Sequence, residues 1–317
     1  GTAPYVAAVS EALELRAVDL GLKAAPGAYV FLPPNIAGYV GADHVAMQLA
    51  TGLGEPDVLK RGNVIALDIG TNTEISLSAE GRILSCSCAS GPAFEGAHIS
   101  EGMRAAPGAI ERVQIDPSDS SGSKFLIHTI ENQPAVGICG SGILDAVAAL
   151  LQIGVIEEKG NMLKEHPLVQ AENNNRHVTL VSADKSGNKH DIAVTRKDVN
   201  EIQLAKGAIR TGVEILLEEA GLTYEQIDEF LVAGAFGTYL DLNSAVKVGM
   251  FPPLPRERFK QVGNAAGAGA RQMLVSLERR KVAARLAQSS EYIELTVHPH
   301  FRDVFVRELM FERDPDG

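Results

Sequence analysis

The sequence predicts an α/β protein with mixed sheets flanked by helices, and three observations carry that reading. Residues 64–67, Val-Ile-Ala-Leu, form a short, wholly apolar run of the kind a strand covered on both faces shows, and the run stops at Asp68 and Gly70. Residues 74–78 and 83–87 follow as strands with 79–82 as a hairpin turn, which makes a three-stranded meander. Residues 198–220 repeat apolar side chains at helical spacing (Ile202, Ala205, Ile209, Val213, Leu216, Leu217) before Gly221, with Asp198 as the expected N-cap.

The remaining elements follow in chain order. Residues 1–60 read as loops and helices, with apolar spacing over 35–52 (Ile36, Val40, Val45, Leu49) entered through Pro33-Pro34. Residues 110–115 and 124–130 alternate as paired strands around a polar turn cluster at 116–123, and 178–182 with 192–195 form a second pair. Between the pairs, the glycine-rich residues 137–142 open a helix whose stripe is Ile143, Leu144, Val147, Leu150 and Leu151. Residues 230–233 are a buried strand that runs into Gly234-Ala-Phe-Gly237, and a small-residue helix follows Asn264. The tail returns to strand-like composition at 293–297 and closes in a charged helix.

Composition excludes several function classes. The 317 residues are 45% hydrophobic and 22% charged, as in an ordinary globular protein of about two domains. No run of 18 uninterrupted apolar residues exists, so no transmembrane helix is expected. Twenty-nine basic against 40 acidic residues give a net charge of −11, a field that opposes a nucleic-acid groove. The three cysteines, Cys86, Cys88 and Cys139, match neither a zinc framework nor a disulfide scaffold, which fits a reducing cytoplasm. The N-terminus lacks the pattern of a secretory signal, and its opening Gly-Thr-Ala-Pro reads as a boundary that leaves room for natural sequence upstream.

Chemistry concentrates at Asp68-Ile-Gly-Thr-Asn-Thr-Glu74. An acidic residue at the end of a buried strand, then a hydroxyl-rich turn with a glycine, places backbone N–H groups and the Thr71 and Thr73 hydroxyls around one point able to cradle phosphate oxygens. Gly70 allows close backbone approach, and Asp68 would hold magnesium through water. A tight hairpin in which Asn72 and the threonines merely satisfy the turn is the competing reading. Gly234, Ala235 and Gly237 would let a base or ribose lie against the backbone, or mark a simple strand-to-helix turn. Lys206 and Arg210 share a helix face and either flank a nucleotide or form a solvated pair. Gly140, Ser141 and Gly142 open a helix, which favours an anion, with a plain Ser141 cap as the alternative. Glu95, in a glycine-flanked loop, is a candidate catalytic carboxylate for positioning water or metal, against the alternative of an exposed loop glutamate. Cys86 and Cys88 share a strand face and are expected to pack rather than bind metal, Cys139 likewise, and His298 and His300 are expected at the surface.

The Asp68–Glu74 stretch resembles a phosphate motif of the acetate and sugar kinase, heat-shock chaperone and actin (ASKHA) superfamily, and residues 232–237 resemble its adenosine motif. The helix with Lys206 and Arg210 sits where that superfamily places adenine-contacting residues. Cys86-Ser-Cys-Ala-Ser-Gly-Pro-Ala-Phe-Glu-Gly96, Glu101-Gly-Met-Arg104, Gly108-Ala-Ile-Glu111 and Gly137-Ile-Cys-Gly-Ser-Gly-Ile-Leu-Asp145 resemble the reductive activators of corrinoid proteins, a likeness that extends over about residues 5–269.

That resemblance implies ribonuclease-H-like, actin-like ATPase lobes: the end of a first lobe at 1–60, a nucleotide-binding region at 61–290, and a C-terminal return to the core at 291–317. It implies ATP and magnesium as cofactors, a corrinoid protein of a methyltransferase system as partner, a homodimer, and ATP-driven reduction of Co(II) corrinoid to Co(I). The family's [2Fe–2S] cluster is expected only in an upstream domain, because its four-cysteine spacing is absent here. No earlier Asp-Gly-Thr ribbon precedes the 35–52 helix, so the Asp68 ribbon is the second of two phosphate motifs, which leaves hydrolysis by this chain alone in question. A small-molecule kinase or redox-activating ATPase on the same fold, and a non-catalytic dimerisation or docking module, are the alternative functions.

Overall fold

The computed structural model describes residues 9–55, 62–119, 124–172 and 175–311. The chain opens with an antiparallel hairpin, β1 (Leu13–Arg16) and β2 (Tyr29–Leu32), with Leu13 opposite Leu32. This corrects the expectation of loops and helices: four-residue strands are too short to display alternation in sequence. Helix α1 (Ala42–Thr51) begins seven residues later than its apolar spacing suggested, because Ile36 and Ala37 donate their N–H groups to Val40 O in a turn. It ends at Gly52, whose φ of 72° suits the left-handed cap.

The expected meander is present as β3 (Asn63–Ile69), β4 (Thr73–Ala79) and β5 (Arg82–Cys88), antiparallel throughout. Glu80 and Gly81 turn the second hairpin with φ of 50° and 79°, the hand that matches strand twist. Strands β6 (Ala109–Ile115) and β7 (Phe125–Thr129) pair antiparallel, and β8 (Gly137–Ile138) adds parallel to β6. Part of the polar turn between β6 and β7, residues 120–123, lies outside the described residues. Helix α2 (Gly140–Gln152) follows, then β9 (Gln170–Glu172), β10 (Asn175–Val181) and β11 (Ile192–Thr195) in a small antiparallel sheet.

Helix α3 (Arg196–Ala220) is capped by Thr195, which corrects the Asp198 N-cap. Asp198 is the N3 partner of a capping box, its carboxylate accepting from Thr195 N at 2.8 Å. Next come β12 (Ile227–Ala233), α4 (Ala235–Tyr239), α5 (Leu242–Lys247), β13 (Phe259–Gly263), α6 (Ala265–Val275), α7 (Leu277–Ser289), β14 (Ser290–Tyr292) and α8 (Phe301–Glu308). Sequence reading missed α7, whose buried side is only Ala283, Leu286 and Ala287. The strand expected at 293–297 is also corrected: β14 ends at Tyr292, and Leu295–Val297 is a single 3-10 turn fixed by Glu294 accepting from Thr296 N.

The central sheet runs β13-β12-β3-β4-β5-β14, with β12 parallel to β3 and the meander antiparallel. Its alternation sorts two cores. Ile65, Leu67, Ile75 and Leu77 face α3, while Val64, Ala66, Leu231 and Ala233 pack with residues of α1, α6 and α7. Buried aliphatic side chains of this kind contribute about 1.5 to 3 kcal/mol each. Part of the α1 contact is polar: His44 Nε2 meets Ser76 Oγ at 2.6 Å, and Gln48 donates to Ser76, Ser85 and Ser290. Cys86, Cys88 and Cys139 are buried and unbridged. His298 departs from its expected surface position. Its side chain is 8% exposed and pairs with Glu219, whereas His300 is exposed and pairs with Glu218.

Candidate functional site

The parallel pair β3–β12 places Asp68 beside Ala233, and the meander places Glu74 directly across from Asp68. The β3–β4 turn is tight: Gly70 N donates to Asn72 O at 3.2 Å, and a Cβ on Gly70 would lie 3.1 Å from that oxygen. The ribbon is anchored from behind. Thr73 is fully buried against Ser90 Oγ at 2.8 Å, Ser90 also donates to Gly70 O at 3.2 Å, and Gly91 N donates to Thr71 O at 2.9 Å. Gly70, Thr71 and Asn72 stay exposed, and the Thr71 hydroxyl donates to the Glu95 carboxylate.

Gly234 closes the other side. Its φ is 93°, and a Cβ there would lie 2.7 Å from Asp68 Oδ1 and 2.8 Å from Ile69 O, so only glycine lets the β12–α4 turn reach the ribbon. Ala235 beside it is exposed, while Gly237 is buried against Val232. Phe236 stacks on Phe94 with centroids 4.6 Å apart, which ties this turn to the loop carrying Glu95. Beneath that loop, a Cβ on Gly140 would lie 1.9 Å from Phe94 O and one on Gly142 2.0 Å from Ile110 O. Ser141 is 5% exposed, so Gly140, Ser141 and Gly142 serve close packing of α2 under the site.

Asp68, Gly70, Thr71, Asn72, Glu95 and Gly234 are therefore brought together, whereas the Thr73 hydroxyl, expected to face the same point as that of Thr71, is buried and turned to Ser90, so Thr73 anchors the ribbon instead of lining it. Lys206 and Arg210 are not brought to them. Lys206 is fully buried and donates to Met310 O, next to Gln203 donating to Leu309 O at 2.9 Å. Arg210 is 4% exposed, bonded to Glu214 at 2.7 Å and set over the Tyr224 ring. The segment that follows α8 covers Lys206, and Tyr224 covers Arg210.

Two acidic residues join the site that sequence reading did not assign to it. Burial raises Asp68 above the usual carboxylate range, and Asp43, in the first turn of α1, raises it further. Burial, then Asp43 and Asp68, push Glu74 up to about 7 against a hydrogen bond from Ser87. Asp43 lies 25 positions before Asp68, and no local spacing links the two. Its position at the start of the preceding helix was the available signal. Asp43 also lines a groove with Pro33, Ala42, Ala46, Ala266, Gly267 and Met273. Helices α1 and α6 meet there so closely that a Cβ on Gly269 would lie 1.9 Å from Ala46 O.

A β-meander followed by two parallel strands, with an acidic ribbon and a glycine turn meeting at the strand ends, is the arrangement in this chain. Residues 62–316 match the C-terminal domain of RACo, the ASKHA domain, and residues 1–56 match the RACo middle region. The chain belongs to the RACo family. Among RACo relatives, it is 34% identical over 320 residues to the corrinoid activation enzyme RamQ of Eubacterium limosum, covering 98% of this chain and 52% of that protein. It is 29% identical to the [Co(II) methylated amine-specific corrinoid protein] reductase of Methanosarcina barkeri, covering 89% of this chain and 51% of that protein. A solved RACo structure, the reductive activator for corrinoid,iron-sulfur protein, superposes with a TM-score of 0.86 at 35% identity, over 98% of this chain and 48% of the other. The chain thus spans about half the length of these RACo relatives. The fold is the actin-like ATPase fold of the ASKHA domain.

Proposed function

We propose that this chain is the ATP-binding part of an activator that drives reduction of an inactive Co(II) corrinoid protein to Co(I). The observation that carries the reading is the meeting of the Asp68–Thr73 ribbon with Gly234, a backbone cradle at the ends of two parallel strands. In it, Gly70, Thr71 and Asn72 present the phosphate side and Gly234 with Ala235 the nucleoside side. The relatives, a corrinoid activation enzyme and a Co(II) corrinoid protein reductase, point to a corrinoid protein as the partner.

The residues suit magnesium. Asp68 is a partly buried carboxylate made more basic by burial and by Asp43, and a divalent cation would relieve both penalties. Magnesium gives up its waters reluctantly, so Asp68 would hold it through water. When bound, magnesium neutralises phosphate oxygens. The exposed backbone of Gly70, Thr71 and Asn72 would take the phosphate chain while Thr73 anchors the ribbon from behind. The one electron that converts Co(II) to Co(I) would have to be supplied from outside this chain, where the family resemblance places a [2Fe–2S] domain. Nucleotide contributes by binding one conformation of the two-lobed protein more tightly than the other, which shifts the surface offered to the corrinoid partner. A homodimer in a reducing cytoplasm completes the proposal. Among the described residues no helix is long and apolar enough to cross a membrane.

Calorimetric titration of this chain with ADP and magnesium tests the reading. Saturable binding that Asp68→Ala abolishes supports it. Tight binding of the corrinoid protein that nucleotide leaves unchanged would instead favour a docking module, and a phosphorylated small-molecule product a kinase.

A further inference from the structure

The contact between Thr71 and Glu95 is the least expected feature of the site, since it gives the ribbon's exposed hydroxyl to a carboxylate rather than leaving it for phosphate. Glu95 is fixed there by its backbone. It ends a 3-10 turn in which Glu95 N donates to Pro92 O at 2.9 Å and Gly96 N to Ala93 O at 3.0 Å. Phe94 is held at the same time by Phe236 on one side and by the main chain of Gly140 on the other.

The charged neighbours that raise Asp68 and Glu74 are carboxylates, those of Asp43 and Asp68, and Glu95 adds another at the ribbon's exposed edge. The two cations that sequence pointed to, Lys206 and Arg210, are engaged with Met310 and Glu214. A bare polyphosphate approaching Thr71 therefore meets a carboxylate competing for the same hydroxyl and further negative charge behind it. The same phosphate accompanied by a divalent cation meets a site whose charge it complements.

We infer that Glu95 is a specificity-determining residue that makes the Asp68–Thr73 ribbon discriminate cation-complexed phosphate chains from free ones, by occupying the Thr71 hydroxyl and charging the entrance. This differs from a catalytic carboxylate that positions water or metal, and it deepens the nucleotide reading on which it rests. The two roles give opposite signs on substitution. Glu95→Gln keeps the shape and an acceptor for Thr71 while it removes the charge.

The experiment is calorimetric titration of the full chain and its Glu95→Gln variant with inorganic pyrophosphate and with ADP, each in EDTA and at saturating magnesium, with thermal melts of both proteins as the fold control. The expected result is at least tenfold tighter binding by E95Q in EDTA, shrinking to within about twofold at saturating magnesium. A loss of affinity in E95Q confined to the magnesium arm overturns the inference, because Glu95 would then be holding the cation. Equal affinities of the two proteins in both arms overturn it as well, while leaving the nucleotide reading intact if ADP binds. Should pyrophosphate follow the expected pattern while ADP binds no better than pyrophosphate, the selectivity stands and the adenosine part of the reading falls. Absence of binding by either ligand to either protein overturns both.

Discussion

Gly234 shows how a single backbone angle determines a site. At φ 93° and within 2.7 Å of Asp68 Oδ1, a side chain would both strain the turn and push it from the ribbon. Gly234→Ala is expected to cost about 1 to 3 kcal/mol of stability and to abolish ADP binding, as urea unfolding and calorimetry on the same preparation can establish. Lys206 makes the opposite case. Lys206→Met is expected to leave ADP affinity within about twofold while lowering stability by about 1.5 to 3 kcal/mol, the worth of a hydrogen bond to a charged group, because its ammonium serves Met310 O rather than the ribbon. A large loss of ADP affinity with unchanged stability would return this lysine to the nucleotide. The ribbon was legible because its residues are contiguous, and so was Glu95 as a candidate. Asp43 was hidden because its approach to Asp68 is made by the packing of α1 on the sheet, which no local pattern encodes.

Elements with a strong local signal were read correctly, and those stabilised by long-range contacts were not. The meander, α2 and the Gly221 stop of α3 follow from periodicity and a left-handed cap. The β1–β2 hairpin escaped notice because its strands are only four residues long, and α7 because its apolar face is thin and its partner distant: Arg280 of α7 lies over the Phe31 ring of β2 at 4.4 Å. The start of α3 illustrates a boundary error with an energetic consequence. Asp198 accepts from Thr195 N at 2.8 Å and also from Ser100 N at 2.7 Å, so it caps the helix and fastens the loop that follows Glu95. Asp198→Ala removes a buried carboxylate and both of these part-buried hydrogen bonds, and a loss of about 1 to 3 kcal/mol is expected in urea unfolding. A loss below about 0.5 kcal/mol would mean that water replaces both bonds.

Across the whole molecule, two buried groups give stability a dependence on pH with opposing slopes. Glu74, raised to about 7, keeps a proton in the folded chain that the unfolded chain has released above the ordinary glutamate value. Its contribution therefore falls as pH rises from about 4.5 to 7, by about 3 kcal/mol in all. His44, lowered to about 3 by burial, stays neutral in the folded chain while the unfolded chain charges, so stability is lost as pH falls from about 6.5 towards 3. Glu74→Gln is expected to flatten the decline between pH 6 and 8, to keep the part at lower pH that comes from Asp145, raised by burial to about 6, and from Asp68, raised likewise, and to leave the acid-side loss from His44, which urea midpoints at pH 5, 6 and 8 can resolve. An unchanged profile would place Glu74 in a more hydrated setting.

The hydrogen bonds that join His44 and Gln48 to Ser76, Ser85 and Ser290 extend this to architecture. Oily surfaces can slide past one another by a residue at little cost, whereas paired donors and acceptors match in one alignment alone. Helix α1 therefore seats on the sheet like a key with cut notches. Asp43, one position before His44, inherits that alignment and reaches Asp68 at a fixed offset. A chain with an all-aliphatic seam here could fold as tightly and still present its carboxylates out of step.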